Sequence, residues 1–273
     1  MIWKFFLYAL CPHEEFNTDA LSKLIPRWTA VQQRQGRRII SLDQGDDFLQ
    51  GVRFVGGTDI SYDGNRGVAG LVVYSYPEMR KVFSATDEVD VTVPYIPGFL
   101  DFREVPAMSK LVKRFKRYLN EADSKSPFVV LVDGNGVWHE RRCGSASRLG
   151  LLTNTPTVGV AKSFYPLPEL CSLSFDEEHS LCFEKRGDLY ELVTDAVILK
   201  SSDVSKRPIY VSVGHKICIK SALEIVMRTC RHRIPLPIAA ADTLTREVLS
   251  GSAKLGEWGL DDRSLKRLLR REP

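Results

Sequence analysis

Four acidic residues, far apart in the chain, sit where a carboxylate is costly or conspicuous. Asp59 lies in the middle of an apolar run and Glu104 follows a Pro/Gly-rich stretch. Asp133 ends the segment Phe128-Val129-Val130-Leu131-Val132, and Asp242 follows Ala239-Ala240-Ala241. Carboxylates brought together repel one another unless positive charge compensates them, and hard divalent cations take oxygen ligands. Two such cations can activate water and stabilise the leaving oxygen of a phosphodiester. Taken singly, each acid has a plain explanation as a cap, a turn residue or a surface charge. Their shared placement, next to glycines or at the ends of elements, is what points to chemistry. Lys162, just past the apolar Thr157-Val158-Gly159-Val160, adds a cation suited to a phosphate.

The stretch from 127 to 164 must position much of this. Phe128 to Val132 reads as a strand buried on both faces, stopped by the turn residues Asp133-Gly134-Asn135-Gly136. A helix over 144–152 and a second strand over 157–160 complete a strand–helix–strand unit, which implies a parallel pair with a right-handed crossover. Open sheets of this type place ligands at the carboxyl ends of their strands, where Asp133 and Lys162 lie. Upstream, residues 54–62, 68–76 and 81–93 predict an antiparallel meander. Residues 18–36 have helical spacing, with a break expected at Pro26. The segment 94–104 reads as a rigid loop bearing three aromatics, followed by a helix over 106–120 made basic by Lys110, Lys113, Arg114, Lys116 and Arg117. That basic face suits phosphate contacts, although a solvated helix face is the commoner explanation. Downstream, strands are expected at 190–193, 196–199 and 208–213. Helices are expected over 217–231 and from 239, the latter with Asp242 near its start.

The 273 residues suffice for one large domain, here 18–250, with an N-terminal extension over 1–17 and a basic tail or helix over 251–273. The net charge of +4 is too small to establish a nucleic-acid partner by itself. Six cysteines without a CxxC pair argue against a disulfide framework or a zinc site. No stretch is long and apolar enough to span a bilayer, and the apolar N-terminus, interrupted by Lys4, is short for a signal peptide. These features imply a reduced location, cytoplasmic or nuclear, and no membrane partner; no protein partner is implied, and a monomer is expected.

At this point the motifs resemble those of endonuclease V. GGTDIS around Asp59, PYIPGFLDFRE ending at Glu104, VDGNGVWHER over 132–141 and LGLLTNTPTVGVAKS ending at Ser163 occur in that family's order and spacing. GHKICIKSAL at 214–223 and PLPIAAADTLTRE at 235–247 are similar to its C-terminal motifs, so the resemblance covers roughly 18–250. It implies an α/β, ribonuclease H-like fold, a central mixed sheet flanked by helices, and a magnesium-dependent endonuclease in which manganese can substitute. The implied substrate is inosine-containing RNA or deoxyinosine-containing DNA, cut at the second phosphodiester bond on the 3′ side to leave 3′-hydroxyl and 5′-phosphate ends. By position, Asp59, Glu104, Asp133 and Asp242 would hold metal, and Lys162 would meet the scissile phosphate or the attacking water. Tyr95 would be a wedge filling the gap left by an extruded base, as an aromatic between two prolines suits. Gly98, Leu100 and Gly144 would lie by the base pocket, and His139 would lie near the site and steer substrate. A hydrogen-bonded structural role is the plain alternative for His139 and His215. The chain departs from the family pattern at Arg142, where a glycine is usual, and at Arg148, where many relatives have His. Both add charge near the expected pocket.

The wording VDGNGVWH is closer to animal-type members, which favours inosine in RNA over deoxyinosine repair. Two rivals make different predictions. A binding module with a decayed metal site would bind inosine without cutting. A ribonuclease H-like nuclease without base specificity would cut adenosine and inosine strands alike.

Overall fold

The computed structural model describes residues 18–45, 47–121, 127–261 and 264–265, with side chains from residue 22 onward. The expected N-terminal extension over 1–17 and most of the basic segment 263–271 lie outside the described residues.

The elements run in chain order as α1 (Thr18–Gly36), α2 (Phe48–Gly51), β1 (Phe54–Asp63), β2 (Arg66–Ser75), β3 (Lys81–Val89), α3 (Leu100–Glu121), β4 (Phe128–Asp133), α4 (Ser145–Thr153) and β5 (Thr157–Ala161). They continue with α5 (Phe175–Ser180), β6 (Leu189–Val193), β7 (Ala196–Leu199), β8 (Ile209–His215), α6 (Ile219–Thr229), α7 (Leu236–Leu249) and β9 (Glu257–Gly259). One mixed sheet holds the strands in the order β6-β7-β8-β5-β4-β1-β2-β3-β9. The expected unit β4–α4–β5 is present with its strands parallel, and β1 joins β4 in parallel while β1, β2 and β3 form the antiparallel meander.

Alternation along the central strands builds two cores. Phe54, Phe128, Val130 and Val132 pack with α3 residues Val105, Met108, Leu111 and Phe115. Val55, Val129, Leu131, Val158 and Val160 pack on the other face with Ala222, Ile225 and Val226 of α6 and Ile238 of α7. The run 128–132 is therefore buried on both faces, which is why it carries no polar alternation. By the same period of two, Asp59 and Asp133 point to the α6/α7 face. The register brings them side by side, because Thr58 pairs with Val132 immediately before them.

Gly57 decides how closely α7 can approach. A Cβ there would lie 2.1 Å from the carbonyl carbon of Pro237 and 2.2 Å from the backbone nitrogen of Ile238. Both neighbours are backbone, which cannot swing aside. Gly57→Ala is expected to displace α7 and cost about 3 kcal/mol, lowering Tm by about 6–12 °C. A thermal-melt shift of a degree or less would show that the helix is not seated there.

Several expected boundaries are corrected. Helix α1 is not broken at Pro26, whose ring lies on its exposed side, while Trp28 stacks on Phe102 at a centroid distance of 4.5 Å. Packing outweighs the lost hydrogen bond. Helix α3 begins at Leu100, so Leu100 and Glu104 are helical residues rather than loop residues, and Pro106 stands inside the helix on an exposed position. Helix α7 begins at Leu236, because Pro235 and Pro237 occupy its N-cap and first turn, where a missing N–H costs nothing. Asp242 is thus mid-helix, two turns from the N-terminus. Residues 257–259, expected within a tail or helix, add an edge strand to β3, and Leu265 packs in the core. Helix α5, unforeseen, is started by a reciprocal capping box between Ser174 and Glu177.

Candidate functional site

The carboxyl ends of β1 and β4, the start of α3 and the middle of α7 converge on one point. Asp59 is only 5% exposed and lies within hydrogen-bonding reach of both Asp133 and Asp242. Lys162, two residues beyond the partner of Asp133 on β5, sends its Nζ to 2.5 Å from Asp133 Oδ2 and 3.9 Å from Asp59 Oδ1. Arg233 braces this corner by donating to the carbonyls of Lys162 and Pro208. On α7, Asp242 Oδ1 also accepts from Arg246 Nε at 2.8 Å. Glu104 faces the group from α3, its Oε1 accepting from Tyr62 Oη at 3.3 Å.

The electrostatics match a site short of positive charge. Burial, then the bond and the charge of Asp133, push the carboxyl of Asp59 far above the ordinary range, and Lys162 offsets only part of this. Burial also lifts Glu104 to about 7, with the charge of Asp133 adding to it. For Lys162, burial works against the ammonium, but Asp133, Asp59 and Asp242 outweigh it and hold the group above its usual value. Two carboxylates at hydrogen-bonding separation need a proton or a cation between them. The donors are oxygen-only and acidic, which fits a hard divalent ion. Among the described residues no three such side chains already form a metal-binding group as they stand; the lysine head supplies charge in their midst.

Two clefts share this floor. One, of about 380 Å³, is lined by Asp59, Asp133, Glu104, Tyr95, Gly98, Leu100, His139 and Gly144 among others. The other, of about 550 Å³, runs past Asp59, Asp133, Lys162, Asp242 and Arg246. Every residue expected at the site from sequence therefore lines one cleft or the other. Tyr95 is half-buried at the mouth, anchored by its buried neighbours Ile96 and Phe99, with the Arg103 guanidinium 6.0 Å from its ring.

Other expectations change. His139, expected to steer substrate, has both ring nitrogens engaged within the protein. Its Nε2 lies 3.0 Å from the carbonyl of Gly98, which can only accept, and its Nδ1 accepts from the backbone N–H of Arg141 at 3.2 Å. The ring is thus neutral with the proton on Nε2, and burial together with Arg141 lowers its pKa to about 4. His215, whose Nδ1 accepts from the N–H of Ile40, is likewise pushed down to about 4 by burial. Arg142 turns away from the pocket to pair with Asp195 at 3.2 Å. On the basic helix, Lys110 and Arg114 face Asp87 at 3.6 and 3.4 Å, and Lys116 donates to the carbonyls of Thr153 and Asn154. Three of its five cations thus serve packing. The five described cysteines are free thiols, and no described helix is long and apolar enough to cross a membrane.

Sequence reasoning missed a polar cluster behind the Tyr95 loop. The Gly98 carbonyl accepts not only from His139 but from Gln32 Nε2 at 3.0 Å and Arg141 Nη2 at 2.8 Å. Gly98 has φ +79°, a left-handed conformation that exposes this carbonyl to all three donors. Gln32 is fully buried, yet helical spacing places it among the polar residues of α1. Nothing in the spacing of a lone Gln could have singled it out. The Arg141 side chain lies against the Phe99 ring at 4.3 Å, and its place in VDGNGVWHER gives no sign of this contact.

Comparison with known proteins gives a consistent family. A family model described as Endonuclease V matches residues 37–243. Mouse endonuclease V is 39% identical over 245 residues, covering 85% of this chain and 71% of the mouse protein. The crystal structure of the catalytic domain of human endonuclease V is similar at TM-score 0.75 and 36% identity, covering 84% of this chain and 97% of that one. That of Ciona intestinalis endonuclease V, in complex with a 24mer DNA containing an inosine followed by a ribo-adenosine, has TM-score 0.74 and 33% identity, covering 85% and 100%. The mixed sheet with flanking helices is the ribonuclease H-like fold that the motifs implied. With the acid cluster, the cleft under Tyr95 and three-quarters of its length matched, this chain belongs to the endonuclease V family.

Proposed function

We propose that this protein is a magnesium-dependent endoribonuclease that cuts RNA at the second phosphodiester bond on the 3′ side of inosine. The observation that carries the reading is the acid cluster forming the common floor of two clefts, one of which has Tyr95 and main-chain groups in its wall. Magnesium would be held by Asp59, Glu104, Asp133 and Asp242. Bound there it supplies a polarised water and positive charge to the phosphate.

The chain's own groups do the rest. Tyr95 fills the gap left when the base is extruded into the first cleft, and Gly98, Leu100 and Gly144 offer the wall against which the base edge is read. Lys162, beside Asp133, meets a non-bridging oxygen of the phosphate in the second cleft. Separate clefts for base and phosphate suit a cut displaced from the recognised nucleotide. The oxygen of water bonds to phosphorus as the P–O3′ bond breaks; the water gives up one proton to solvent, and the departing 3′ oxygen takes one proton from solvent. The products carry 3′-hydroxyl and 5′-phosphate ends.

Preference for RNA is supported by the ligand of the Ciona relative, whose inosine is followed by a ribo-adenosine. The 3′ oxygen of that nucleotide belongs to the second phosphodiester bond, so its 2′-hydroxyl neighbours the leaving group. The test is a DNA strand with one inosine, followed either by a ribonucleotide or by a deoxynucleotide. The ribonucleotide is expected to speed cutting by about tenfold or more. Equal rates would favour the second reading, a deoxyinosine-specific DNA repair endonuclease.

A further inference from the structure

The buried cluster behind the Tyr95 loop contains a charge pair that the chemistry above does not use. Asp101, 2% exposed at the start of α3, accepts from Gln32 Nε2 at 2.7 Å through Oδ1, while its Oδ2 lies 3.5 Å from Arg148 Nε. Arg148 comes from α4, with a side chain 14% exposed. Its guanidinium lies over the ring of Phe102 at 4.0 Å and donates to Gln35 Oε1 at 3.0 Å. Helices α1, α3 and α4 therefore meet through one ionic contact directly behind the cleft wall. Gln32 links that contact to the wall itself, because the same Nε2 donates to the carbonyl of Gly98.

A buried ion pair adds little net stability over an apolar pair of the same shape, since each ion gives up its water. What it does impose is geometry. Without Asp101 the Arg148 guanidinium loses its buried counter-charge. Without Arg148 the Asp101 carboxyl, which burial already raises to about 7, has Gln32 and Arg141 left to hold it in place. Geometry is what this wall needs. Hypoxanthine and adenine differ in whether position 6 is a carbonyl or an amine and whether N1 donates or accepts. Main-chain groups can tell them apart only if they do not shift, because selectivity arises when the wrong base leaves a buried polar group unpaired.

We propose that Gln32, Asp101 and Arg148 are positioning residues for base recognition, holding the Tyr95–Gly98 wall in the arrangement that separates inosine from adenosine. The proposal rests on the inosine reading given above. Asp101 lines the cleft, but its carboxylate is turned to Gln32 and Arg148, so it acts through the wall.

The test compares Asp101→Asn, Arg148→Met and the double variant of the full chain. Asn keeps the shape of Asp101, and Met keeps a long stem against Phe102. Equilibrium binding to single-inosine and matched adenosine RNA strands, with calcium in place of magnesium, reads selectivity without depending on turnover. Each single substitution is expected to lower the inosine-to-adenosine binding ratio about tenfold, and the double variant to recover most of it, because both charges are then gone. Thermal melts run alongside. Selectivity that survives both single substitutions, or a double variant that loses the product of the two single losses, overturns the positioning role. If one single variant is too unstable to assay, the other decides: unchanged selectivity in it overturns the positioning role. If the unaltered protein binds the two strands equally, the inosine reading falls and the proposal falls with it; selectivity in the unaltered protein that both substitutions leave intact removes the proposal alone.

Discussion

Asp59→Asn is expected to lower cleavage by about a thousandfold or more while leaving the protein at least as stable as before. The carboxylate is buried, faces Asp133 and Asp242, and is only partly offset by Lys162 at 3.9 Å. Such a group is costly to fold, and a neutral amide of the same shape removes that cost. The sign follows from linkage. A carboxyl whose folded pKa is raised destabilises the fold most above that folded value; the penalty shrinks as pH falls between the folded and unfolded values and is gone below the unfolded value of about 4. In EDTA, the variant should therefore melt a few degrees higher than the parent at neutral and alkaline pH, with the difference vanishing near pH 4. Loss of activity with a melt lowered by more than about 5 °C would make Asp59 a structural residue. Retained cleavage would remove it from the chemistry altogether.

Lys162→Met should show the converse. The ammonium sits 2.5 Å from Asp133 Oδ2 and 3.9 Å from Asp59 Oδ1, and without it the acids face one another with less compensation. The side chain is 37% exposed, so solvent screening limits the cost. A fall of a few degrees in Tm in EDTA is expected, together with a loss of about a hundredfold in cleavage. Because magnesium would then supply the missing charge, millimolar magnesium should raise the Tm of the variant by more than it raises that of the parent. Equal magnesium shifts in both proteins would show that lysine and metal do not compensate the same carboxylates.

Much of this arrangement was legible in the sequence because it depends on local signals. The doubly buried strand 128–133 announces itself by an unbroken apolar run and the Asp-Gly-Asn-Gly stop, and the parallel pair follows from the short helix after it. The placement of Asp59 beside Asp133 on the α7 face is a consequence of side-chain alternation and strand register, and needs only the pairing of β1 with β4. What was not legible depends on tertiary packing. Pro26 and Pro106 do not break their helices, since both rings lie on exposed positions while neighbouring turns are held by contacts with distant elements. Strand β9 exists only because β3 offers it an edge. Helix α5 could have been found from the Ser174–Glu177 spacing. His139 reads equally as a residue that steers substrate and as a hydrogen-bonded structural histidine, and only its two hydrogen bonds reveal that it secures Gly98. Gln32, Asp101 and Arg148 come from three separate helices. Nothing in their spacing indicates that they meet.

The most direct test of the central claim is a cleavage assay in magnesium on end-labelled RNA strands, identical except for one inosine or one adenosine, with the cut mapped to the nucleotide. The account predicts a single cut one nucleotide beyond inosine, abolished by EDTA and absent from the adenosine strand. Equal cutting of both strands, or inosine bound with no cut in magnesium, would contradict it.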